Sequence, residues 1–157
     1  MAMRILKHGQ SVNTYASSEA IDRGHCVSLS SGVLVKGTAG GGLGFARSTH
    51  TDLSTGTNIY SDSWDGRRNM VQRSEQGDIG DIMGVETGDF LAEGFDKYYG
   101  TVSENDVLFC IGSGTLANLA VASGVEGFDE DTWRVAAIAL TGGTAGTDTI
   151  KIMCKLP

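Results

Sequence analysis

The chain has 157 residues, 40% of them hydrophobic, with 23 glycines and a single proline at the C-terminal position. That length and apolar content suit one packed domain, and abundant glycine without proline or a three-residue period excludes collagen and proline-rich linker. The formal net charge of −7 argues against bulk affinity for DNA or RNA, which calls for a basic surface.

In chain order, residues 1–20 show no sustained period after the short run Met3 to Leu6, and Ser11 to Glu19 are mostly small and polar. They are predicted as an N-terminal arm, frayed or laid on a partner, ahead of a single β-domain over 21–157. Charge is unevenly spread: the first 50 residues hold five Lys/Arg and two acids, the remainder seven and seventeen. The simplest reading is a solvated acidic surface; the sharper one is a basic N-terminal portion docking onto an acidic neighbour, such as another subunit. Asp22-Arg23-Gly24 reads as a turn.

Val27 to Val35 then read VSLSSGVLV, and Phe109 to Ala117 read FCIGSGTLA, 82 residues later. In both, an apolar run meets Ser-Gly and a second run begins at once, the pattern of a tight β-hairpin. A glycine-rich gap and a small-residue strand follow each copy, Leu43 to Thr49 and Trp133 to Thr141. Thr49 to Arg73 is the most polar stretch and predicts a long loop or a pair of edge strands, with Asp65 as a cap for a short helix over Arg67 to Gln76. Strands are predicted from Ile79 to Val85 and from Lys97 to Val102. Leu116 to Ala122 fits a helical stripe nearly as well as a strand. Asp129 to Leu140 carries acids and alanines that suit a helix, but its parallel with the first copy favours a strand. Thr149 to Leu156 alternates cleanly, with Ile150, Ile152, Cys154 and Leu156 on one face.

Chemical motifs are sparse. His8, His25 and His50 have no metal-type spacing, and Cys26, Cys110 and Cys154 are scattered without a CxxC pair. The thiols are expected free and buried in a protein made in a reducing cytoplasm, and neither signal-like nor membrane-spanning apolar runs occur. Gly37 to Gly44 suggests a phosphate loop but lacks the GxGxxG register and a following helix. The acidic groups Asp62/Asp65, Asp78/Asp81 and Glu126 to Asp131 lack the alternating ligand positions of a calcium loop. No nucleophile–base pair emerges, so no catalytic residue, cofactor or metal is expected. Trp64 beside Arg67 and Arg68 has the composition of an interface anchor.

The segments Ala20-IDRGHCVSLSSGVLV-Val35, Leu43 to Ser48, Arg134 to Leu140 and Thr149 to Leu156 resemble the small capsid decoration, or cement, proteins of tailed double-stranded-DNA bacteriophages. The shared pattern is an entry strand after a polar arm, a glycine turn, a Gly-x-Ala strand and a closing alternating strand. The resemblance implies a mainly β fold: a compact antiparallel β-barrel or β-sandwich built from hairpins, with an extended N-terminal arm and few or no helices. It further implies a non-catalytic homotrimer on the virion, bound to the major capsid protein at the capsid's outer surface, without direct contact to nucleic acid or membrane. On this reading the partner-binding residues are Arg4, Lys7 and Tyr15 from the arm and Trp64, Arg67 and Arg68 from the polar loop. The alternative is a carbohydrate-binding β-sandwich using Trp64, Tyr98 or Tyr99 as a stacking platform.

Overall fold

A computed structural model describes residues 3–47, 51–52, 57–58, 76–77 and 82–156. In chain order the strands of the first half are β1 (Arg4–Lys7), β2 (Gln10–Ala16), β3 (Ile21–Asp22), β4 (Cys26–Ser30), β5 (Val33–Lys36), β6 (Gly44–Ala46), β7 (Thr51–Asp52), β8 (Thr57–Asn58) and β9 (Gln76–Gly77). The second half holds β10 (Ile82–Thr87), β11 (Leu91–Phe95), β12 (Thr101–Val102), β13 (Val107–Gly112) and β14 (Thr115–Asn118). After a single helical turn, α1 (Leu119–Ala122), come β15 (Val135–Ala139), β16 (Gly143–Thr144) and β17 (Ile150–Cys154).

Two antiparallel sheets dominate, ordered β1-β11-β17-β15-β13-β14 and β2-β10-β6-β4-β5. Neither is a closed ladder, so the fold is sandwich-like and not a barrel. A parallel bridge from Ser17 to Leu34 curls the five-stranded sheet on itself.

Both predicted hairpins form, and for the predicted reason. Ser31 and Gly32 have φ of 52° and 83°, and Ser113 and Gly114 have 52° and 70°. Positive φ at both central residues is the two-residue turn whose twist matches the strands it joins. The likeness extends further. β6 pairs with β4, the first strand of its hairpin, and β15 pairs with β13, the first strand of the other. Each sheet therefore ends in the same three-strand unit, β5-β4-β6 or β14-β13-β15.

The main core lies between the sheets. Cys26 and Phe45 enter it from the five-stranded sheet, and Ala92, Leu108, Cys110, Ile150, Ile152 and Cys154 from the six-stranded one. Phe45 meets Phe90 and Phe95 edge-on, with ring centroids 5.5 and 6.0 Å apart. Because neighbouring strand residues face opposite ways, Val27 and Ala46 point to a second cluster with Ile21, Leu34 and Val85. The closing strand is as predicted: Ile150, Ile152, Cys154 and Leu156 are all buried.

The stretch expected as an N-terminal arm, frayed or laid on a partner, instead forms strands in the chain's own sheets. β1 pairs with β11 and β2 with β10, so Met3 to Ala16 joins both sheets, and Met3 is fully buried. Pairing at a sheet edge needs only backbone donors and acceptors, which a small polar sequence supplies without an apolar period. β11 was invisible for a related reason. Glu93-Gly94 interrupts its alternation, and Gly94, at φ 69°, coincides with a register irregularity between Ala92 and Phe95. Of the expected strand Lys97 to Val102 only β12 forms. Leu116 to Ala122 divides between β14 and α1, whose first turn is capped by the Asn118 side chain accepting from the Val121 N–H at 3.2 Å. Asp129 to Leu140 yields β15 after a turn. Most of Thr49 to Arg73, with the proposed Asp65 cap, lies outside the described residues.

Candidate interaction surface

The three thiols are buried and free. Cys26 is pushed well up by its hydrogen bond to the Cys110 thiol and by burial, and burial pushes Cys154 up to about 11. Cys26 and Cys154 therefore stay protonated at neutral pH and behave as small apolar side chains. Among the described residues no three His, Cys, Asp or Glu side chains gather as a metal site.

His25 lies where the two repeated hairpins meet. Its Nδ1 accepts the Asp22 N–H at 3.1 Å, which leaves the neutral ring to carry its proton on Nε2. Burial, then the positive charges of Lys97 and Lys36, lower its pKa from 6.5, against a smaller opposing effect of Asp22. Below about pH 6.5 the unfolded chain therefore binds a proton that the native state refuses. Stability is expected to fall as pH drops through that window towards the lower native pKa. The check is the melting temperature between pH 7 and pH 5: the wild-type decline should be steeper than that of His25→Gln, and equal slopes would refute the assignment.

At the β1–β2 corner the buried carboxylate of Glu86 accepts from His8 Nδ1 at 2.8 Å, the Gly9 N–H at 3.2 Å and Arg47 Nη1 at 3.3 Å. A charge held out of water this way needs such company. The cluster ties the N-terminal strands to β10 and to the end of β6.

The outer face of the six-stranded sheet carries a continuous cross-strand row. Direct cross-strand pairing runs Lys7↔Leu91↔Met153↔Ile138↔Val107, so these five side chains form one row across five strands. Leu91, Met153 and Ile138 are half-buried, and Val107 is exposed. Beyond Val107, exposed Leu119 lines the same shallow groove of about 480 Å³. At the other end a groove of about 560 Å³ lies among Arg4, Glu93, Thr141, Thr149 and Lys151.

Of the residues read as partner-binding, Arg4 and Lys7 stand together on this face, exposed on β1. Arg4 pairs with Glu93 on β11. Tyr15 is not with them; it packs half-buried against the second cluster of the other sheet. Trp64, Arg67 and Arg68 lie outside the described residues. Tyr98 is unfit as a stacking platform, being buried against Phe95 with its hydroxyl donating to the Asp148 carbonyl at 2.8 Å, whereas Tyr99 is 61% exposed.

The chain matches no protein-family model and no curated protein.

Sequence reasoning passed over Lys151 and Lys155, which extend the basic end begun by Arg4 and Lys7. The signal was available: in a strand whose Ile150, Ile152 and Cys154 face inward, Lys151, Met153 and Lys155 must face out.

Proposed function

We propose that this protein is a non-catalytic virion component that decorates the outer surface of a phage capsid and stabilises it, as a homotrimer, by bridging coat-protein subunits. The supporting observation is where the decoration-like segments fall. Ala20 to Val35 and Leu43 to Ser48 run through β4, β5 and β6, while Arg134 to Leu140 and Thr149 to Leu156 contain β15 and β17. The segments that carry the resemblance thus supply interior strands of both sheets, β4 and β6 in one and β15 and β17 in the other, together with the edge strand β5.

The architecture suits a bridging role. Two sheets share one core and are tied together by the N-terminal strands, so load applied to one is passed to the other. Among the described residues β1 is an edge strand that pairs only with β11, and a coat-protein strand can add to its outer edge. The protein would be made in the host cytoplasm and reside on the finished capsid.

The test is a comparison of particles with and without it. The protein should co-purify with particles, and particles lacking it should release DNA at lower temperature or on exposure to a chelator. Unchanged particle stability would end this reading.

A further inference from the structure

The row Lys7–Leu91–Met153–Ile138–Val107 has ends of opposite charge. At the β1-β11-β17 end stand four cations, Arg4, Lys7, Lys151 and Lys155. Arg4 and Lys155 have acidic partners, Glu93 and Asp89, whereas Lys7 and Lys151 have none among the described residues. At the β13-β14 end four exposed carboxylates, Glu126, Asp129, Glu130 and Asp131, sit in the turn between α1 and β15 without an ion pair among the described residues.

That turn is held over the same face. Phe109, two residues along β13 from Val107, projects to the same side. Its ring meets Phe128 edge-on at 5.7 Å, and Phe128 meets Trp133 at 4.9 Å. The face is therefore basic at one end, acidic at the other, with partly exposed apolar side chains between.

We infer that this face joins copies of the chain, the basic end of one lying on the acidic turn of the next with the apolar side chains enclosed between them. The occupant is a second copy because this chain itself carries the complement, in charge and in position along the row. Carboxylates crowded in one turn and left without cations repel one another, and so do neighbouring lysines; each group gains by meeting the other. The apolar row supplies the water-excluding centre that charge pairs on a rim lack. A basic end on an acidic turn is a head-to-tail contact, which closes as a cyclic ring, the trimer proposed above being one such ring.

The inference shares a copy-to-copy contact with the reading above but not its capsid, so a measurement in solution stands or falls independently of any particle experiment. Sedimentation velocity and native mass spectrometry of the full chain, at about 0.05 M and about 0.5 M salt, bracket the change in electrostatic screening. An oligomer is expected that loosens in high salt. Two variants, K7E/K151E/K155E and D129K/E130K/D131K, change only exposed groups, and circular dichroism checks that each is folded. Each alone should associate at least about tenfold more weakly than wild type, and an equimolar mixture of the two should recover a mixed oligomer. A monomer at all concentrations overturns the inference. So does an oligomer indifferent to both variants, or a mixture that fails to reassociate.

Discussion

Replacing Phe45 by alanine is expected to lower the free energy of unfolding by about 3–5 kcal/mol, the range for deleting a fully buried phenylalanine. Phe45 is fully buried on the three-residue strand β6. It reaches across from the five-stranded sheet to Phe90 and Phe95, which flank and end β11 of the other sheet. The loss has three parts: transfer of the ring, two edge-to-face contacts, and a cavity that neighbours on two different sheets cannot close together. Domains are stable by only about 5–15 kcal/mol, so one substitution removes much of the margin. For a chain of this size the melting temperature should drop by roughly 10 °C. Thermal and urea unfolding of the variant give the number, and a loss below about 1 kcal/mol would mean that the ring does not join the two sheets.

The second large effect separates two glycines of the same turn type. Gly32→Ala should cost only about 1–2 kcal/mol, the penalty of a left-handed backbone for an L side chain. Gly32 has φ 83°, and a methyl there would meet nothing within 4 Å. Gly114→Ala should cost about 1–2 kcal/mol more, because contact is added to a similar backbone penalty. A methyl on Gly114 would lie 2.8 Å from the Cys26 carbonyl oxygen and 3.1 Å from the His25 Cβ.

The clash matters because of where the Gly114 turn sits. The Cys26 N–H donates to the Gly114 carbonyl at 3.1 Å, the Gly114 N–H to Gly37 at 3.0 Å, and the Gly37 N–H back to Cys26 at 2.7 Å. One hairpin turn is thus inserted between the strands of the other hairpin where they part. Pushing the Cys26 carbonyl aside strains all three bonds, and a buried backbone group left unpaired is expensive. Paired urea melts of the two variants decide it, and equal costs would refute the junction.

The doubled hairpin was legible in the sequence because a two-residue turn is local chemistry. Ser-Gly can adopt positive φ twice in succession, and the alternation around it selects the buried face. The same logic exposed β17 and the small-residue strands β6 and β15. It could not find β1 and β2, whose places in the sheets rest on backbone pairing with strands far away in the sequence, Arg4 with Glu93 and Ala16 with Ile82. Nor could it find β11, where Gly94 breaks the period that the search depends on. Leu116 to Ala122 stayed ambiguous because its division into strand and helical turn depends on the Asn118 side chain, whose amide bonds Asp106 and whose oxygen caps α1.

The surface was half legible. Arg4 and Lys7 stand out from composition in the basic N-terminal portion, and they do lie on an exposed face. That they share it with Lys151 and Lys155 follows only from β1, β11 and β17 being neighbours in one sheet. The acidic turn at 126–131 was visible as charge, but its place over the same face depends on Phe109, Phe128 and Trp133 meeting in space.

The sequence by itself determined the β class, the two turns, the inward faces of the central strands and the scarcity of chemical motifs. Each of these follows from residue type and short-range periodicity, which act within a few bonds along the chain. Only the tertiary structure decided that the N-terminal residues bind the two sheets together, that one hairpin turn inserts into the other, and that charges far apart in sequence form the two ends of one face. Those outcomes rest on strand order, and strand order is settled by the burial of a common core that no single segment encodes.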